Sequence, residues 1–479
     1  MSSILVLAAS PALGRTGATA DPVSAIIKPL TQTGAPGCSI ALSRGGKRLI
    51  ERSFGLANLE HRVANSTATV YEAGSVSKQV AAAAVLLLAK DGKLALADDV
   101  RRYLPELPDY GTVITVDDLL THRSGLRDWR FLAGMAGWTL GTKVHSNGDA
   151  LVLAARQRAL NHLPRAEYAY TNTGYSLAAI IVERVSGQSL AEFSRKRLFE
   201  PLGMKDTQWR DDHRRVVERR ATGYSSERGA WVADMPFEDA YGAGGLLTTA
   251  GDLLTWKEAL QNGAMGSGVA RLLQEPPLLP GSKPSPYARG VFIGTHRGTT
   301  EVGHGGVTAG YRAWAGHYPE HRIAVAVLCN GDVNPAHLAR ELVDIHLPKA
   351  ALSLPAHGAH PMASRAAIPP NGSAERWRPD AADLGEIAGT FRSEEVGATY
   401  YAKVENGALV IRLDDPIRDP WVLSPTVRDK FVFSHGSLRV ERDSSGKPCR
   451  LLLNADRLRD LPLHSLSCPR PGDRAPQAH

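Results

Sequence analysis

Three short runs in this chain carry residue types that can perform acyl transfer. The first is Ser75-Val76-Ser77-Lys78, preceded by Gly74 and followed by the apolar run Val80 to Ala89. A helix over Ser75 to Lys90 would put Ser75 and Lys78 on one face, three residues apart. It would also set Ser75 at a helix head, where free N–H groups and the macrodipole favour developing negative charge. A lysine beside a serine in a dry site loses proton affinity and can take the hydroxyl proton. The plainer alternative, a capping serine with a surface lysine, fits poorly beside so long an apolar run.

The second run is Tyr170-Thr171-Asn172, in a loop just before a helix expected over Tyr175 to Ser186. A phenol held near a lysine can act as a phenolate base or as a proton relay. An Asn amide both donates and accepts, so Asn172 is a candidate for orienting a substrate amide. The third run is His304-Gly305-Gly306, then Val307. Two glycines would let a substrate backbone approach a strand edge closely. His304 can bond a carboxylate or polarise a carbonyl near neutral pH. Taken singly, each run also reads as loop packing, a turn residue or a Gly-rich turn with an incidental His.

These runs need elements to position them. Gly37 to Ser43 and Arg48 to Phe54, joined through Gly45-Gly46, read as a strand hairpin. Helices are expected at Ser75 to Lys90, Val116 to Leu120, Tyr175 to Ser186, Leu190 to Phe199 and Ala250 to Gln261. Strands return at Tyr311 to Gly316 and Ile323 to Leu328, and Ala336 to His346 reads as a last helix. Strands that open and close a region around a helical middle predict an α/β (α+β) domain, its antiparallel sheet flanked by helices, with a cleft where the parts meet. After a Pro/Ala-rich linker, strand patterns around Asn406-Gly407 and Ser444-Ser445-Gly446 predict a small C-terminal antiparallel β-domain, a sandwich or a β-barrel. The expected organisation is a signal peptide at 1–20, a hydrolase domain at 21–347, the linker at 348–379, the β-domain at 380–468 and a disordered tail at 469–479.

The 479 residues carry 43% hydrophobic and 22% charged residues and a net charge of +7. That composition suits a large core and is mild in charge. The basic stretch His213-Arg214-Arg215 with Arg219-Arg220 is broken by acids and reads as a solvated helix face, not a nucleic-acid surface. No apolar run reaches the roughly 18–20 residues of a membrane span. Ala18-Thr19-Ala20 resembles a cleavage site, which implies a periplasmic or secreted protein; without cleavage the chain would be cytoplasmic. Cys449 and Cys468 can pair if the protein is exported, whereas Cys38 and Cys329 read as buried free thiols. No cofactor is expected. His317-Tyr318-Pro319-Glu320-His321 matches an inverted zinc-peptidase spacing, but Pro319 would break the helix that pattern needs.

Together and in this order, the three runs resemble the serine β-lactamase and penicillin-binding protein superfamily. The likeness is to its class C β-lactamase-like branch, with D-aminopeptidases, D-alanyl-D-alanine carboxypeptidases and family VIII carboxylesterases. It covers roughly residues 30 to 345, supported by Tyr71 to Gln79, Asp118 to Leu126, Pro201 to Met204 and Gly244 to Asp252. The resemblance implies an acyl-enzyme on Ser75, proton shuttling by Lys78 and Tyr170, and substrate contacts from Asn172, His304, Gly305 and Gly306. The backbone N–H groups of Ser75 and Val307 would form an oxyanion hole. Many members carry Lys-Thr-Gly where this chain has His304-Gly305-Gly306. A titratable ring replaces a permanent cation, which shifts the expectation from β-lactams toward a D-aminopeptidase-like peptidase on short peptides or small molecules. The C-terminal β-domain points the same way. A carboxylesterase with weak β-lactamase activity is the alternative; a penicillin-binding sensor that acylates without turnover is the reading from another class. A homo-oligomer is compatible with all of them.

Overall fold

The computed structural model describes residues 21–138, 141, 143–355, 377–414, 419–434 and 436–468. The expected signal peptide, most of the expected linker and the expected tail lie outside the described residues. Six strands form one antiparallel sheet: β1 (Cys38–Arg44), β2 (Lys47–Phe54), β3 (Phe292–His296), β4 (Thr299–Thr308), β5 (Tyr311–Tyr318) and β6 (Ile323–Cys329). Their order is β3-β4-β5-β6-β1-β2, so the opening hairpin joins the closing strands through β1 and β6. Alternate side chains on these strands face opposite layers. Ala41, Ala313, Ala315, Ala324 and Ala326 face the large helical core, while Ile40, Leu42, Trp314, Val325 and Val327 face the other side. With both faces covered, the central strands are apolar nearly throughout.

The helices that matter to the site are α1 (Lys78–Lys90), α2 (Val116–Leu120), α3 (Trp129–Met135), α4 (Thr173–Ser186), α5 (Ala250–Asn262) and α6 (Pro335–Asp344). α1 is buried from Lys78 to Leu88, as an all-round apolar helix must be. It starts three residues later than the sequence suggests, because Gly74–Ser77 forms a 3-10 turn at its head. The alanine face of the sheet leaves room for α1 and α5. α6 fills the bulkier face with Leu338, Leu342 and Val343.

Eight further strands close into a barrel: β7 (Gly389–Ser393), β8 (Ala398–Glu405), β9 (Ala408–Leu413), β10 (Trp421–Pro425), β11 (Lys430–Phe433), β12 (Gly436–Arg442), β13 (Pro448–Ala455) and β14 (Leu458–Ser465). Its interior, including Leu409, Phe431, Leu451 and Leu463, is continuous with Trp129, Leu132 and Met135 of α3. Tyr400 donates from Oη to Met135 O at 2.6 Å, and buried Arg127 pairs with Glu395 of the barrel. The barrel is therefore seated on the segment that leads into α3.

Two expectations are overturned. Cys38 and Cys329 are not free thiols but a disulfide, because β1 and β6 pair in a register that sets them directly opposite, 4.0 Å apart at Cα. Cys449 and Cys468 are bonded as well. The 213–220 stretch is irregular, not a helix face; Arg214, Arg215 and Arg219 pair with Asp212, Asp211 and Asp206. His317 ends β5 and Pro319–His321 forms a turn, so the zinc-like spacing is not on a helix. No helix among the described residues is long and apolar enough to cross a membrane.

Candidate active site

The 3-10 turn that carries Ser75 lies directly against β4. A Cβ at Gly306 would fall 2.0 Å from Ala73 O, and one at Gly74 would fall 2.7 Å from Val307 N. Gly74 also has φ 51, a conformation that suits glycine. Gly306 therefore packs directly against the turn that carries Ser75. β3 pairs with β4 only as far as Gly303. Beyond that point His304, Gly305, Val307 and Thr308 line a cleft of about 410 Å³, together with Ser75, Tyr170 and Asn172.

At the cleft floor, Ser75 Oγ lies 3.0 Å from Lys78 Nζ and accepts from Tyr170 Oη at 2.9 Å. Lys78 Nζ also donates to Asn172 Oδ1 at 3.0 Å and Ala243 O at 2.7 Å. Both of these partners only accept. A neutral amine has two N–H bonds and one lone pair, so it satisfies both and keeps the lone pair for the Ser75 hydroxyl. Burial holds the Lys78 ammonium well below its ordinary proton affinity, and the positive charges of Arg457 and Arg130 add to this; Asp128 opposes it. Burial pushes the Tyr170 phenol up to about 12, against the pull of the Ser75 hydrogen bond and the Arg457 charge. Of the two readings left open for Tyr170, the relay of a protonated phenol fits this site and the phenolate base does not.

Asn172 precedes α4 without capping it through its side chain. Its backbone N and Nδ2 donate to Asp128 Oδ2 at 2.7 and 3.0 Å, which turns Oδ1 toward Lys78. This leaves at most one Nδ2 hydrogen for a substrate amide. His304 is 1% exposed. Its Nδ1 donates to Gly305 O at 2.6 Å and its Nε2 lies 3.1 Å from Tyr287 Oη. The ring is turned into the protein, so the expected contact with a substrate carboxylate has no support in this geometry.

A family model described as Beta-lactamase matches residues 23–347, most of the chain. The chain belongs to the Beta-lactamase family. It is 28% identical over 310 residues to a D-aminopeptidase of Cereibacter sphaeroides, covering 64% of this chain and 58% of that protein. It is 27% identical over 331 residues to a D-aminopeptidase of Brucella canis, covering 67% and 60%. The chain thus spans less than two thirds of the curated relatives it matches. Among solved structures, the octameric penicillin-binding protein homologue from Pyrococcus abyssi superposes with TM-score 0.62 at 23% identity, covering 92% of this chain and 98% of that one. A D-amino acid amidase from Ochrobactrum anthropi SV3 gives TM-score 0.59 at 23% identity, covering 68% and 98%. These likenesses in structure carry the fold.

Several residues of this Beta-lactamase family site were not singled out from the sequence. His122 lies inside the quoted stretch Asp118 to Leu126, yet its role is spatial. Its ring packs 4.3 Å from Tyr170 and 4.5 Å from Tyr287, and its Nδ1 accepts from Thr171 N at 3.2 Å. Burial holds His122 well below the ordinary imidazole range, so it stays neutral and braces the Tyr170 ring. Asp128 and Ala243 set the Lys78 environment through contacts made only in three dimensions. Arg130 and Arg457 line the cleft, and Arg457 comes from the barrel. No local pattern marks any of these four.

Proposed function

We propose that this protein is a serine peptidase or amidase of the D-aminopeptidase type, acting on short peptides or amino-acid amides through an acyl-enzyme on Ser75. The observation that carries this reading is the pair of contacts on Ser75 Oγ, from Lys78 at 3.0 Å and Tyr170 at 2.9 Å. Neutral Lys78 takes the serine proton as Oγ attacks the acyl carbon. The proton then passes through Tyr170 to the leaving nitrogen, and the C–N bond breaks. Water enters by the same route in reverse: the Lys78–Tyr170 pair removes its proton, and Ser75 leaves with a proton restored. The backbone N–H groups of Ser75 and Val307 hold the tetrahedral oxyanion; one such donor is worth about 2.7–4 kcal/mol. The D-aminopeptidase relatives support the amide preference.

The test is a panel of D- and L-aminoacyl amides, D-Ala-D-Ala peptides, short p-nitrophenyl esters and a chromogenic cephalosporin, run with the parent and Ser75→Ala. Amide hydrolysis that disappears in Ser75→Ala is the expected result. Turnover of esters alone would make the protein a carboxylesterase, and stable acylation without turnover would make it a sensor. Full activity in Ser75→Ala would falsify the mechanism.

We also propose an oxidising compartment, periplasmic or external, a reading supported by the two disulfides. Thiol labelling of the native protein in cell fractions checks this; reactive thiols would count against it. A homo-oligomer belongs to the reading because the Pyrococcus abyssi homologue is octameric; sedimentation at several concentrations tests it.

A further inference from the structure

We propose that Arg457, carried into the cleft by the barrel, is the partner of a substrate carboxylate, so that the protein acts best on short peptides with a free carboxylate close to the cleaved bond. This rests on the serine peptidase reading above. Among the described residues the cleft is lined by two guanidiniums, Arg130 and Arg457, and by no carboxylate. The two acids behind it are already engaged. Asp128 accepts from Asn172 and from Arg130 N at the head of α3. Glu238 pairs with Arg130 at 2.7 Å and Arg210 at 3.3 Å. Arg130 is thus largely neutralised where it stands.

Arg457 is not. Its nearest carboxylate oxygens are those of Asp128, 3.6 Å from Nη1, and Asp456, 3.7 Å from Nε, both beyond hydrogen-bond length. Its Nε is buried without a hydrogen-bond partner among the described residues. A guanidinium whose fork is unspent is matched by a carboxylate, which takes two parallel N–H bonds.

The position of Arg457 is set by its backbone, which leaves its side chain available. It sits in the Asp456-Arg457 turn between β13 and β14. Arg457 O accepts from Asn161 Nδ2 at 3.0 Å, and Arg459 N donates to Asn161 Oδ1 at 2.8 Å. Arg127 donates to Arg459 O at 3.1 and 2.9 Å and to Asp460 O at 3.0 Å. The Arg457 guanidinium lies over the ring of Tyr170, 4.7 Å from its centroid, and the hydroxyl of the same tyrosine donates to Ser75 Oγ. A protonated amine at this spot would meet the Arg457 guanidinium; a carboxylate meets complementary charge. His304, turned inward, does not compete for it.

Matched dipeptides test this: D-Ala-D-Ala as the free acid and as its C-terminal amide. kcat/KM is measured with the parent, and affinity is measured by calorimetry with Ser75→Ala. We expect the acid to be favoured about 10–100-fold, the usual range for a hydrogen bond to a charged group. Arg457→Gln should collapse the acid-to-amide ratio toward unity, Arg457→Lys should keep part of it, and Arg457→Glu should reverse it. No acid preference in the parent, or an equal loss on both ligands in Arg457→Gln, would overturn the proposal. Ser75-dependent hydrolysis of a neutral p-nitrophenyl ester without acid preference would sink the proposal and leave the serine hydrolase standing. Without turnover of any substrate the peptidase reading fails, and the calorimetric comparison still decides the role of Arg457.

Discussion

Two buried lysines meet the first turn of α1. Lys78 begins that helix and reaches Ser75 Oγ at 3.0 Å; Lys257, from α5, reaches the next residue, Gln79, at 3.2 Å. Burial strips both of proton affinity. Lys257 is pulled down to about 7 by desolvation, against the attraction of Glu301. Lys78 is pulled well below its ordinary value by desolvation and by two arginines. Only Lys78 has a hydroxyl 3.0 Å away, two acceptors that take its N–H bonds, and an open cleft beyond. Lys257 donates to an amide oxygen and meets no nucleophile among the described residues. Depth lowers the proton affinity of an amine, whereas a general base also needs a proton to take and somewhere for it to go.

The largest effect should come from exchanging the two lysines for methionine one at a time. Lys78→Met should lower kcat/KM about 10²–10⁴-fold, the span of a lost general base. Lys257→Met should leave it within about tenfold, because no reacting atom is touched. Comparable losses in both variants would break the contrast.

Next is Gly306→Ala, which leaves both lysines in place and disturbs the turn that carries Ser75. Its Cβ would need to displace Ala73 O from 2.0 Å, and the nucleophile's turn with it. We expect kcat to fall about 10²-fold, as for a shift near 1 Å, and stability to fall by about 1–3 kcal/mol. Activity and unfolding measured on one preparation check this; an unchanged kcat would show that the turn can move without cost.

A third effect separates the lysines by stability. Native Lys257 sheds its proton near 7, while an unfolded lysine holds it to about 10.4. Between those values the unfolded state binds more protons, so this group makes stability rise with pH, by up to about 1.4 kcal/mol per unit. Below about 7 both states are protonated and its contribution is flat. Urea unfolding from pH 7 to 9 should therefore show a shallower rise in Lys257→Met than in the parent. Equal slopes would put native Lys257 back in the ordinary lysine range.

The smallest effect sharpens the other side. The proposed mechanism needs neutral Lys78, so kcat/KM should rise with pH through the Lys78 titration. Arg457 helps hold that titration down. In Arg457→Gln the rising limb should move to higher pH, and in Lys257→Met it should stay. A fixed limb in Arg457→Gln would remove the barrel from the electrostatics of the nucleophile.

Much of the scaffold was legible because it is written in local periodicity. The Cys38–Arg44 and Lys47–Phe54 hairpin, the all-apolar α1 and the Ala398–Glu405 and Ala408–Leu413 pair need only patterns over a few residues. The register that bonds Cys38 to Cys329 is not local; it depends on which strands meet after the helical region is packed. The inward turn of His304 depends on Tyr287, and the brace of Tyr170 depends on His122. No spacing rule reaches across such distances in sequence.

The sequence by itself determined the nucleophile's neighbourhood. Ser75 and Lys78 share a helical turn, Tyr170 and Asn172 share a loop, and their order along the chain resembles one superfamily. Chemistry tied to one turn of backbone is set by that backbone. Only the tertiary structure decided that Lys78 can be neutral, that Tyr170 keeps its proton, that Gly306 seats the nucleophile's turn, and that an arginine from the barrel stands over Tyr170. Proton affinity depends on depth and on the sum of surrounding charges, and those charges come from segments that meet only once the chain has folded.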